Sequence, residues 1–230
     1  MSEITCRVTD ISPLTDTIYK VVLTPQQAVN YKPGHYLQVV MGEKDLRPFS
    51  IASIPSQTKL ELHIGATPDN KYAWEVLEAM RSIGQIKIAQ PKGDAYWREL
   101  PRPTLLMAGG TGFSYTYSIL QAMLAEGLKE PLYLYWGTRS LDDMYAFQAL
   151  QEMAQQHDKF CFVPVVENPS NDWQGKTGWV HEAVLADFTS LEPYHVYIAG
   201  RFEMAGVARE AFTQKGLKKD HLFGDAYAFI

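Results

Sequence analysis

Apolar and polar positions alternate in short runs over the first hundred residues or so. ITCRVTDIS and TIYKVVLT carry β-branched residues at period two, with the turn signal SPLTD between them. YLQVVMG, FSIAS, LELHIG and GQIKIAQ follow, each bounded by proline, glycine or a polar cluster. Such spacing predicts an antiparallel barrel or sandwich. One helix interrupts it: in YAWEVLEAMRS the residues Ala73, Val76, Leu77 and Met80 fall on a single face.

Beyond RELPRP, residues 98–103, the pattern changes. TLLMA, LYLYWG, FCFVPVVE and HVYIAG are near-continuous apolar runs, as expected of parallel strands covered on both faces. Helical stripes lie between them: Ile119, Leu120, Met123 and Leu124; Phe147, Leu150 and Ala154; Met204, Ala205, Ala208 and Phe212. The expectation is a β-barrel domain over residues 1–100 and a parallel-sheet α/β domain over residues 101–230.

Composition narrows the class. The formal net charge is -5 and the basic residues are scattered, so no stripe suited to nucleic acid is present. No apolar run reaches the roughly 20 residues that span a bilayer, and the opening MSEITCRVTD lacks the layout of a secretory signal. A cytoplasmic monomer is the expectation. The two cysteines, Cys6 and Cys161, read as buried free thiols, too few for a disulfide scaffold or an iron–sulfur cluster. The histidines show no metal-ligand spacing, so no metal is expected.

In a parallel sheet, ligands bind at the carboxyl ends of strands. Three such ends stand out. Gly109-Gly110-Thr111-Gly112 could bring backbone N–H groups and a helix N-terminus to an anion, or could be a tight turn only. Arg139, after Trp136-Gly137-Thr138, suits a nucleotide 2′-phosphate or is a solvated loop cation. Gly200-Arg201-Phe202 is a further strand-to-helix junction, its glycine either clearance or contact. The polar loop ENPSNDWQGKTG, with Trp173 exposed, lies on the same rim. In the barrel half, Arg47-Pro48-Phe49-Ser50 puts a proline in a β-like run, which confines it to an edge or bend.

Together and in this order, RPFS, AGGTGFS, YIAGRFEM and LFGDAYAFI resemble the ferredoxin–NADP reductase superfamily, and within it the small NAD(P)H:flavin oxidoreductases, or flavin reductases. The resemblance spans the whole chain. It implies a barrel that binds flavin, an α/β half that binds NADPH or NADH, and hydride transfer from nicotinamide C4 to flavin N5. By that resemblance Ser50 is the catalytic residue, offering its hydroxyl to N5, while Arg47, Pro48 and Phe49 fix the ring. His63, Ile64, Gly65 and Ala66 would run along the flavin's other edge, with Tyr36 at its side. Gly109, Gly110, Thr111, Gly112, Phe113, Ser114 and Tyr115 would hold the nicotinamide nucleotide together with Arg139, Gly200, Arg201 and Phe202.

The turn that grips the diphosphate in tightly FAD-binding relatives reads TPDNKY here, Thr67 to Tyr72. Asp69 repels phosphate and no glycine opens the backbone, so riboflavin, FMN or FAD is expected as a weakly held substrate. The reduced flavin would pass to ferric complexes, a monooxygenase or a luciferase. Relatives often end on an aromatic residue over the flavin; here Tyr227, Phe229 and Ile230 close the chain, and packing of a last strand is the plainer expectation.

Overall fold

The computed structural model describes residues 3–230; the first two residues of the expected barrel domain lie outside it. Six strands, β1 (Glu3–Pro13), β2 (Ile18–Pro25), β3 (Tyr36–Gly42), β4 (Asp45–Ser50), β5 (Leu60–Gly65) and β6 (Gln85–Lys92), form an antiparallel sheet in the order β4-β3-β6-β1-β2-β5. Its two edges meet: Ile51 bridges to Leu62, and the Ala52 N–H donates to the Glu61 carbonyl at 2.8 Å. Closing the sheet into a barrel removes both exposed edges. Alternate residues then turn inward, so Ile4, Leu37, Val39, Leu62 and Ile64 make its core. Helix α1 (Lys71–Ile83) covers one end through Ala73, Val76, Leu77 and Met80, and stops at Gly84.

Six further strands, β7 (Thr104–Gly109), β8 (Leu132–Thr138), β9 (Phe160–Val166), β10 (Lys176–Thr177), β11 (His195–Ala199) and β12 (Leu222–Phe223), form an all-parallel sheet in the order β10-β9-β8-β7-β11-β12. Helices α2 (Phe113–Glu126), α3 (Phe147–Gln156), α4 (Val180–Asp187) and α5 (Phe202–Gln214) cover its two faces. Leu106 and Ala108 pack with α2, while Leu105 and Met107 pack with α4 and α5. Burial on both faces is why these strands carry continuous apolar runs. The strand order reverses between β7 and β11, and the crevice beyond their carboxyl ends is where such sheets bind ligands.

Helix α2 also ties the halves together. Ser118 Oγ donates to the Ser53 carbonyl and Gln121 Nε2 to the Ala52 carbonyl, each at 2.7 Å. The connector after β6 belongs to the second half by packing, since Ala95 and Trp97 join its core ahead of the proline-rich stretch.

Four details differ from expectation. Cys161 is exposed, because β10 pairs only with Val165 and Val166 and leaves the start of β9 at the sheet edge. Trp173 is half-buried against Phe147, its indole N–H donating to the Lys176 carbonyl at 2.9 Å; the exposed tryptophan on this rim is Trp179. Helix α4 has no counterpart in the sequence reading. The chain ends on a 3-10 turn, Asp225–Ala228, rather than a strand.

Candidate active site

A cleft of about 1090 Å³ runs along the seam between the barrel and the crevice of the parallel sheet. Pro48, Phe49 and Ser50 of β4 and His63, Gly65 and Ala66 on and after β5 line its barrel wall. The Ile64 side chain is fully buried in the barrel core and does not line the cleft. Ser50 pairs across the ladder with Tyr36, which does not itself line the cleft but sits beside Gly93 and Asp225.

Arg47 is engaged beside the cleft by other partners. Its guanidinium donates to both Asp45 carboxylate oxygens at 2.9 and 2.6 Å, to the Tyr72 carbonyl at 2.6 Å and to Glu75 Oε2 at 2.9 Å. Its hydrogen bonds to Asp45 raise its pKa further, so it is a permanent cation clamping β4 to the start of α1. It holds the strand that carries Ser50 and is not among the residues lining the cleft.

The opposite wall is the turn that follows β7. Gly110 adopts φ +52, and a Cβ there would meet open space, so its backbone borders the cleft. Gly112 is required for another reason: a Cβ would strike the Ala199 carbonyl at the end of β11. The Trp136 indole N–H donates to the Gly110 carbonyl at 3.0 Å and fixes the turn from below. Ser114, at the start of α2, lines the cleft with a buried hydroxyl that has no partner. A buried donor without a partner at a helix N-terminus suits an anionic ligand.

Of the two aromatic residues expected here, Tyr115 lines the cleft and Phe113 does not. Phe113 is fully buried and stacked on Trp136 with ring centroids 3.9 Å apart, and its N–H caps the turn through Gly110 and Thr111 carbonyls. Tyr115 reaches back to the barrel connector, its hydroxyl donating to the Ala95 carbonyl at 2.5 Å. A third glycine at that position would lose this strut. Arg139, Gly200, Arg201 and Phe202 all line the cleft.

Several lining groups were not found by sequence reasoning. Asp225 enters from the carboxyl-terminal turn; burial, with help from Asp94, pushes its carboxyl up to about 6. Trp179 and His181 stack at 5.8 Å on the nucleotide side, and burial lowers the His181 pKa. Asp225 lay in a quoted motif, but nothing in the sequence places Asp94 beside it. Phe229, 75% exposed, stacks on Phe202 at the mouth, and the Tyr227 hydroxyl donates to the Ala205 carbonyl.

Among the described residues no group of three or more His, Cys, Asp or Glu could hold a metal, and no helix is long and apolar enough to cross a membrane.

A closed antiparallel barrel joined through a glycine-turn cleft to a parallel α/β half is the architecture of the ferredoxin–NADP reductase superfamily. Its fold matches the ferredoxin reductase in carbazole 1,9a-dioxygenase with a TM-score of 0.83 at 23% identity, covering 98% of this chain and 69% of that one. Residues 106–210 match the model of the oxidoreductase NAD-binding domain. The chain belongs to the NAD(P)H-flavin reductase family. It is 54% identical to the NAD(P)H-flavin reductase of Vibrio harveyi over 99% of both chains, and 53% identical to that of Aliivibrio fischeri over the same share.

Proposed function

We propose that the protein is an oxidoreductase that uses NADPH or NADH to reduce free flavin, taking riboflavin, FMN or FAD as a diffusible substrate. The observation that carries this is the single cleft with Ser50 on its barrel wall and the Gly109–Gly112 turn on its other wall. When both ligands are bound, the chemistry is their own: a hydride moves from nicotinamide C4 to flavin N5, with a solvent proton completing the reduced flavin. The protein supplies proximity and a hydrogen bond. Ser50 presents its hydroxyl beside the apolar surface of Pro48 and Phe49, and Arg47 acts behind it by holding β4. On the facing wall the Gly110 backbone and the Ser114 hydroxyl receive the nicotinamide nucleotide, with Arg139 and Arg201 as cations along the same wall.

Weak retention of flavin follows from the turn before α1. Thr67 and Asn70 line the cleft there, and the exposed carboxylate of Asp69 stands beside them and repels a diphosphate. Reduced flavin would therefore leave for ferric complexes, a monooxygenase or a luciferase, the protein acting as a cytoplasmic monomer. Purified protein should emerge colourless from gel filtration and oxidise NAD(P)H only when flavin is added. A stoichiometric yellow chromophore that survives gel filtration would instead mark a resident flavin.

A further inference from the structure

We propose that Tyr145 is a positioning residue for hydride transfer, acting through His63 to set the spacing of the two cleft walls. The proposal rests on the flavin-reduction reading above. Tyr145 stands after the short turn Leu141–Asp143 that follows β8, and it is not among the residues lining the cleft. The turn is rigid: Ser140 N–H and Oγ both bond to Asp143 Oδ2, at 3.1 and 2.8 Å. From this fixed point the Tyr145 hydroxyl crosses the domain seam and meets His63 Nδ1 at 2.9 Å. The other ring nitrogen of His63 meets Glu61 Oε1, also at 2.9 Å. Both nitrogens are thus committed, and the imidazole, on the strand that carries the barrel wall, is held from both sides.

The same tyrosine ring also reaches the opposite wall. It packs edge-on against Trp136 at 5.0 Å and against Phe113 at 5.7 Å. Trp136 is the residue whose indole holds the Gly110 carbonyl. A continuous chain therefore runs Glu61, His63, Tyr145, Trp136, Gly110, from flavin-side strand to nicotinamide-side turn. The other side-chain hydrogen bonds across the seam from α2, those of Ser118 and Gln121, end on carbonyls of Ser53 and Ala52, and α2 meets β5 only through ring packing of Phe113 and Tyr117 on His63 among the described residues. At the cleft itself β5 meets the turn only by van der Waals packing, with a Cβ on Gly65 falling 3.1 Å from Thr111 Cγ2. Such packing limits approach but does not prevent separation.

Hydride transfer depends steeply on separation, a misplacement of about 1 Å being worth about a hundredfold. Tyr145→Phe removes the hydroxyl and keeps the ring, so packing against Trp136 survives. In stopped-flow single turnover with saturating NADPH and FMN, the transfer rate constant of Y145F should fall roughly tenfold. Dissociation constants for both ligands should stay at the wild-type values, and the Tm should fall by only a few degrees, as the lost bond leaves His63 Nδ1 unpaired. A merely structural tyrosine would lower the Tm and the active fraction and leave the rate constant per active molecule unchanged, which would overturn the proposal. Glu61→Gln, at the solvent end of the chain, provides a variant that spares both the cleft and the tyrosine; it should slow the same step, and a wild-type rate there would remove Glu61 from the chain and overturn it as argued. Wild-type protein in the same instrument separates the two levels. If it transfers to no flavin, the reading of function fails; if it does and Y145F matches it, only the role of Tyr145 fails.

Discussion

Ser50 and Arg47 lie three residues apart on one strand and have opposite situations. Ser50 lines the cleft, and its hydroxyl is available to a ligand. Arg47 is consumed by Asp45, Glu75 and the Tyr72 carbonyl. Ser50→Ala should lower kcat about ten- to a thousandfold, in the range of other preorganised donors, and steady-state assays with varied flavin check it; a raised flavin KM with kcat intact would reduce Ser50 to a binding role. Asp225 gives a second prediction. Its carboxyl is raised from 3.8 to about 6 in the folded protein, so the native state holds the proton more tightly and ionisation above that range opposes folding. Asp225→Asn should therefore raise the Tm above pH 6, with the gain shrinking to nothing as pH falls below 3.8. Thermal melts across that window measure it. The motif around Arg47 was legible in the sequence, whereas its carboxylate partners were not, because Glu75 arrives from a helix that only the closed barrel brings near.

At the scale of elements, periodicity carried most of the fold. Strands of the barrel alternate because one face is buried, and strands of the parallel sheet do not because both are. Helix α4 escaped for a physical reason: it is short, eight residues, and its Val180, His181, Ala183 and Val184 are all buried, leaving little amphipathic contrast to read. Within the run His63–Ala66, the Ile64 side chain is the one turned into the barrel core. The glycine turn was legible as a ligand turn, but the separate duties of its glycines were not. Gly112→Ala should cost about 1 to 3 kcal/mol, the usual penalty of overpacking, because the new methyl meets the Ala199 carbonyl. It should also weaken nicotinamide binding by displacing the turn. Denaturant unfolding and nucleotide titration report the two effects, and an unchanged midpoint would contradict the first.

Over the whole molecule, the seam is both joint and site. Its bonds run from α2 and the segment after β8 to the barrel, and the cleft opens where they end. Away from it, His195 is buried against His221 and Phe223 at the β11–β12 edge, and burial, then His221, pushes its pKa down from 6.5 to about 4. The unfolded chain takes up that proton first, so this group removes stability as pH falls from 6.5 towards 4. Replacing His195 by Phe should flatten the fall in Tm over that interval, apart from the opposite contribution of Asp225.

The measurement closest to the central claim is NAD(P)H oxidation by purified protein freed of flavin, followed before and after adding riboflavin, FMN or FAD. Negligible oxidation without flavin, and sustained turnover with any one of the three, is the predicted result. Absence of turnover with every flavin, from protein shown to be folded, would contradict it.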